Sequence, residues 1–135
     1  MYLCGETRVC QPYICQFHLD NNTAVTTGSI LSKFNRVWES YGSHFNRTTG
    51  KLVAPDDGSY LVIVTLRERE AKLIKVDVYR DDTFFKNIFV NSANTSAAGA
   101  TAIYTMKGQE LYFKVGQADD GAKLHGGSGF TILRL

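Results

Sequence analysis

Tyr60-Leu61-Val62-Ile63-Val64-Thr65-Leu66 is the stretch on which the reading of the fold turns. It is rich in β-branched and aromatic residues and is bounded by Asp56-Asp57-Gly58 before it and a run of charges after it, so it predicts a strand. Successive side chains of a strand point to opposite faces, which puts Tyr60, Val62, Val64 and Leu66 on one side and Leu61 and Ile63 on the other. A solvent-facing antiparallel strand alternates apolar with polar; this one is apolar on both faces. One face fills a core. The other meets either a covering loop or a second subunit, and the stretch alone leaves both readings open. Seven residues fall far short of the ~20 that a membrane-spanning helix requires.

Outward from this stretch, strand patterns recur at residues 13–19, 30–38, 59–68, 71–80, 84–90, 100–106, 110–115 and 129–135. Turn formers lie between them, among them Asp20-Asn21-Asn22, Thr48-Thr49-Gly50, Lys107-Gly108 and residues 118–128. Short strands at this spacing predict an all-β sandwich. The length of 135 residues predicts one domain, and 44% hydrophobic with 12% aromatic residues argues for a packed core and against disorder. Fifteen basic against thirteen acidic side chains leave a net charge of +2, too weak a field for a dedicated nucleic-acid binder. The first residues, Met1-Tyr2-Leu3-Cys4-Gly5-Glu6, lack a basic segment followed by an apolar one; a secreted form has had its leader removed or carries it upstream.

Cys4, Cys10 and Cys15 are the three cysteines, all in the first fifteen residues, and an odd count leaves one unpaired within a monomer. Their spacing fits no compact zinc signature and no histidine pair follows. Cys15 alternates with Tyr13, Phe17 and Leu19 and is expected to be a buried thiol in the first strand. Residues 1–12 read as an arm, in which Cys4 and Cys10 form a disulfide, link neighbouring chains, or remain thiols.

The material for catalysis is thin. His18, His44 and His125 are scattered, and His125-Gly126-Gly127-Ser128-Gly129 lacks the strand-turn-helix setting of a nucleophile elbow. The pairs Asp56-Asp57, Asp81-Asp82 and Asp119-Asp120 fall in predicted turns, as solvated carboxylates or as calcium ligands. No enzyme is expected. Sequons begin at Asn21, Asn46 and Asn94, all in polar turns, and modestly favour secretion. The long irregular stretch around Asp119, Asp120, Lys123 and His125 mixes donors, acceptors and small residues. It reads either as a mobile connection or as a ligand-binding loop suited to carbohydrate hydroxyls or a charged microbial surface. The cluster Arg67-Glu68-Arg69-Glu70-Ala71-Lys72 reads as a solvated turn with weak ion pairs.

Three segments in order carry a family resemblance: Leu31-Ser32-Lys33-Phe34-Asn35-Arg36-Val37, then Phe45-Asn46-Arg47-Thr48-Thr49-Gly50, then Pro55-Asp56-Asp57-Gly58-Ser59-Tyr60. The second half adds Ala100-Thr101-Ala102-Ile103-Tyr104 with Lys107-Gly108, and the terminal Phe130-Thr131-Ile132-Leu133-Arg134-Leu135. Over residues 13–135 the chain resembles the globular head domain of complement C1q, although Cys15, Leu52, Val62 and Ile132 depart from the family pattern. The resemblance implies a ten-stranded jelly-roll sandwich like that of tumour necrosis factor, assembling as a homotrimer with Leu61, Ile63, Tyr104 and Tyr112 near the interface. It also implies a secreted, lectin-like recognition protein of innate immunity that binds carbohydrate or microbial surfaces. A hormone-like ligand of a cell-surface receptor, or the trimerisation head of a matrix protein, are the alternatives. Family members carry calcium through an Asp in the turn that here reads Phe45-Asn46, and the neutral Asn46 weakens the case for that cofactor.

Overall fold

The structure is a computed structural model and describes residues 2–4, 8–10, 12–91 and 95–135. Its strands are, in order, β1 (Tyr2–Cys4), β2 (Arg8–Cys10), β3 (Ile14–His18), β4 (Thr23–Ala24), β5 (Arg36–Glu39), β6 (Phe45–Asn46) and β7 (Lys51–Val53). There follow β8 (Gly58–Glu68), β9 (Ile74–Arg80), β10 (Thr83–Val90), β11 (Thr95–Thr105), β12 (Glu110–Ala118), β13 (Lys123–Leu124) and β14 (Gly129–Arg134). Ten of them build two five-stranded sheets, ordered β11-β8-β14-β3-β5 and β10-β9-β12-β7-β6, with every pairing antiparallel. The expected ten-stranded jelly-roll sandwich is present. β4 pairs with β13, and β1 with β2, as separate two-stranded sheets.

The core follows from the alternation read in the sequence. Tyr60, Val62, Val64 and Leu66 of β8 are buried with Tyr13, just before β3, with Cys15 and Phe17 of β3 and with Phe130 and Ile132 of β14. The second sheet answers with Ile74, Val76 and Val78 of β9 and Leu111, Phe113 and Val115 of β12. Phe17 is the centre of an aromatic cluster, its ring centroid 4.5 Å from Phe34, 4.6 Å from Phe45 and 5.5 Å from Phe130. Such pairs add to plain apolar burial. Cys15 is a free, buried thiol, as expected, and burial pushes it up to about 12.

Half-buried Glu39 and buried Arg134 tie strands and turns together. Glu39 Oε1 accepts from Tyr13 Oη and from the amides of His44 (2.8 Å) and Phe45 (3.0 Å), tying β3, β5 and β6 together. Arg134 Nε and Nη2 donate to the carbonyl of Asp57 at 2.9 and 2.6 Å, beneath Gly58, whose φ of 155° and lack of Cβ give the guanidinium room. Gly50 has φ +77°, and a Cβ there would stand 2.0 Å from the carbonyl oxygen of Leu31.

The expected strand over residues 30–38 is a correction. Its first part is a loop with a single bridge, Ile30 to Lys114, because Arg47 Nη2 takes the carbonyls of Phe34 and Asn35 at 3.3 and 3.2 Å. Residues 95–99, expected to lie outside the strands, begin β11: Gly99 is pressed against Ile88 so closely that a Cβ would meet it at 2.7 Å.

Candidate functional site

The outward side of the first sheet can be read strand by strand from its register. One row runs Ala102, Leu61, Leu133, Ile14; the next runs Ala100, Ile63, Thr131, Gln16, Trp38. Leu61 is half-buried, Ile63 is 38% exposed, and Tyr104 and Trp38 are 58% and 55% exposed. The alanines of β11 keep the face low beside these larger side chains. Two adjacent rows interrupted only by Thr131 and Gln16, on a side that turns polar at Thr65, His18 and Arg36, have the makings of an interface.

Leu61, Ile63 and Tyr104 therefore share this side, and Tyr112 does not. Tyr112 belongs to β12 of the opposite sheet, stacked on Tyr79 with centroids 5.5 Å apart and planes 11° apart. Its hydroxyl donates to the carbonyl of Asp81 at 2.6 Å, and Lys51 Nζ lies 4.9 Å from its ring centroid. Burial first, then the nearby Asp82, raises its pKa above the ordinary phenol value. The expected set is thus split between the sheets, because strand spacing does not say which sheet a strand joins.

The four residues of the expected ligand loop are also spread out. Asp119 Oδ2 accepts the Leu73 amide at 2.8 Å, and the Asp120 carbonyl accepts Lys72 Nζ at 3.0 Å, so this end of the loop is clasped to the β8–β9 turn. Lys123 is exposed on β13. His125 sits at the other end, where its amide donates to the carbonyl of Arg67 at 2.8 Å, and only its ring lines a polar cavity, with Arg67, Glu68, Arg69, Thr95 and Ser96. Ser128 is buried; its Oγ donates to the His125 carbonyl and accepts the Arg67 amide, a structural use.

The cluster 67–72 is solvated at Arg67, Arg69 and Glu70, with Glu70 4.0 Å from Lys72 Nζ, as expected, and Glu68 is the exception. Glu68 is 1% exposed, and its carboxylate accepts the amides of Glu70 and Lys72 (3.2 Å), holding a turn in which Ala71 has φ +56°. Carboxylates of the Asp pairs do similar work: Asp57 takes the Lys107 amide at 2.7 Å and Asp81 the Glu110 amide at 2.9 Å. Among the described residues no group of three or more His, Cys, Asp or Glu side chains is gathered in a way that holds a metal. Asn46 Oδ1, at the turn where the resemblance places calcium, already accepts the amides of Thr48 (2.8 Å) and Thr49 (3.1 Å).

Of the other sequence candidates, Asn21 is exposed, Asn46 is exposed with its amide oxygen engaged, and Asn94 lies outside the described residues. Register places Cys4 opposite Arg8 and Cys10 opposite Tyr2, so the two cysteines occupy diagonal positions of the β1–β2 pair. His18 is exposed on β3, and His44 packs edge-on to Tyr13 at 5.5 Å, well apart in role from His125. Sequence reasoning missed Trp38 as a surface group. The signal was its position, two residues after Arg36 in a strand whose intervening Val37 turns inward.

No protein-family model matches the chain. Among solved structures it is similar to Eiger TNF from S. frugiperda, at 15% identity and a TM-score of 0.69, covering 93% of this chain and 94% of that one. It is similar as well to murine APRIL, at 15% identity and a TM-score of 0.67, covering 93% of this chain and 100% of that one. The globular domain of zebrafish complement 1qA gives 13% identity and a TM-score of 0.69 over 93% of this chain and 97% of that one. No helix of the described residues is long and apolar enough to cross a membrane. The chain has the jelly-roll fold common to these TNF ligands and the globular head of complement C1q.

Proposed function

We propose that the chain is a secreted homotrimeric recognition module that assembles through the outward side of the β11-β8-β14-β3-β5 sheet and meets its ligand through loops. The observation that carries this reading is the pair of neighbouring rows through Leu61 with Leu133 and through Ile63, flanked by exposed Tyr104 and Trp38. Burying an exposed aliphatic side chain is worth about 1.5–3 kcal/mol, and a closed trimer buries each such position three times. Three copies of a weak site then act together on a repeated ligand, which fits pattern recognition of carbohydrate or microbial surfaces. The likeness to Eiger TNF and APRIL favours a second reading, a protein ligand of a cell-surface receptor, with the same assembly face. A glycan array separates the two. Selective sugar binding supports the first, whereas silence on the array with tight binding to a receptor ectodomain supports the second.

A further inference from the structure

The end of β8 carries two arginines that no acid among the described residues pairs. Arg67 and Arg69 flank Glu68, and that carboxylate faces the backbone of the turn, taking the amides of Glu70 and Lys72. Glu70, the next acid, lies 4.0 Å from Lys72 Nζ. Among the described residues neither arginine guanidinium has an ion pair or a hydrogen bond. Ser96 stands opposite Arg67 in the β8–β11 ladder and Thr95 opposite Glu68, so two hydroxyl-bearing residues complete the edge. His125 lines it too, its backbone N–H donating to the carbonyl of Arg67, and its Nδ1 is buried without a partner. A buried acceptor or donor left unsatisfied is costly, so it marks where a ligand group would gain by pairing.

These six residues enclose a cavity of about 130 Å³, and none of them is apolar. A cavity of this kind selects by charge and hydrogen bonding, because it has no greasy wall on which a peptide side chain would gain by burial. Guanidinium groups are planar forks of donors that match the paired oxygens of a carboxylate or a sulfate ester. We infer that this cavity binds a single oxyanion carried on a saccharide, a sulfate ester or a sugar carboxylate, with Arg67 and Arg69 as its charge partners and the Ser96 hydroxyl as a neutral one. The inference rests on the reading of the molecule as a recognition module. It moves the site from the 118–128 loop as a whole to the junction of that loop's His125 with the β8 and β11 ends.

The test is calorimetric titration of the full chain at about 0.15 M salt, where long-range attraction is screened. The probes are a sulfated heparin hexasaccharide, sialyllactose and neutral lactose. At least one acidic probe is expected to bind and lactose is not, and the probe that binds distinguishes sulfate from carboxylate. The double variant Arg67→Gln/Arg69→Gln should lose at least about tenfold in affinity with an unchanged melting midpoint. Lys33→Gln/Lys107→Gln removes the same charge elsewhere and should leave affinity as it is. Failure of both acidic probes, equal binding of lactose, or equal loss in the lysine variant would overturn the inference. Light scattering on the same samples and the neutral positions of a glycan array report separately on the recognition module, so a failed cavity and a failed module give different results.

Discussion

The two sheets offer the same kind of side chain to the core and opposite kinds to the outside. On the outward side of the first sheet, Leu61, Ile63, Leu133, Ile14 and Trp38 run across four strands with no charged residue in their two rows. On the second, the same positions carry Lys75, Asp77, Tyr79, Lys114, Tyr112, Lys51 and Glu110, and several of these pair with one another. Lys51 reaches Glu110 at 3.8 Å, and Lys114 Nζ lies 5.7 Å from the Tyr79 ring centroid. Exposed large apolar side chains there are Phe84 and Phe89 of the edge strand β10 and Val53 of β7. Inward alternation makes the fold, while the outward half of the same alternation separates a charged face from one with two apolar rows, the face on which the proposed assembly rests.

The harshest way to break the comparison is to remove what both sheets share. Phe17→Ala takes a fully buried ring out of the aromatic cluster and should cost about 3–5 kcal/mol in denaturant unfolding, with both faces lost in one transition. A more selective break is Ile63→Asp, which puts a charge in the middle of the apolar rows at a position exposed in the single chain. It should leave the fold intact and reduce the trimer to monomers at micromolar concentration, while Asn87→Asp on the outward side of the second sheet should leave the trimer whole. Light scattering reads both.

Asp77 sharpens the contrast from the polar side. It is 7% exposed, with Oδ1 unpartnered, set over Gly116 so closely that a Cβ there would meet its carboxylate at 2.3 Å. Burial raises its pKa while Lys75 and Lys114 pull it down, and burial wins. A carboxyl held above its unfolded value lends its full stability below the ordinary 3.8 and loses it as pH rises through the folded value. Asp77→Asn should therefore raise the melting midpoint slightly near about pH 7 and leave it unchanged near about pH 3. The smallest expected effect is optical. Trp38 is the sole tryptophan, so dilution of the trimer, or Ile63→Asp, should shift its emission to the red if the interface extends to β5; constant emission would confine the interface to the β8–β11 half.

Much of this was legible in one strand. The doubly apolar run at residues 60–66 carried both the core face and the need for a second contact, because a period of two leaves no other arrangement. What stayed illegible depended on neighbours distant in sequence. Arg47 turns residues 31–35 from strand into loop by capturing their carbonyls. The small residues that open β11 have little strand preference and are selected by the room that Ile88 needs beside Gly99. Tyr112 obeys the alternation of its own strand yet belongs to the other sheet, and Glu68 is buried because a turn three residues on needs its oxygens. The ligand loop suffered most, since a stretch of donors and acceptors says nothing of which ones the backbone of another turn will occupy.

Multi-angle light scattering of the unmodified chain across the micromolar range tests the central claim most directly. A stable mass three times that of the 15.0 kDa chain, lost in Ile63→Asp, is the predicted result. A monomer at every concentration, or a trimer that Ile63→Asp leaves untouched, would contradict it.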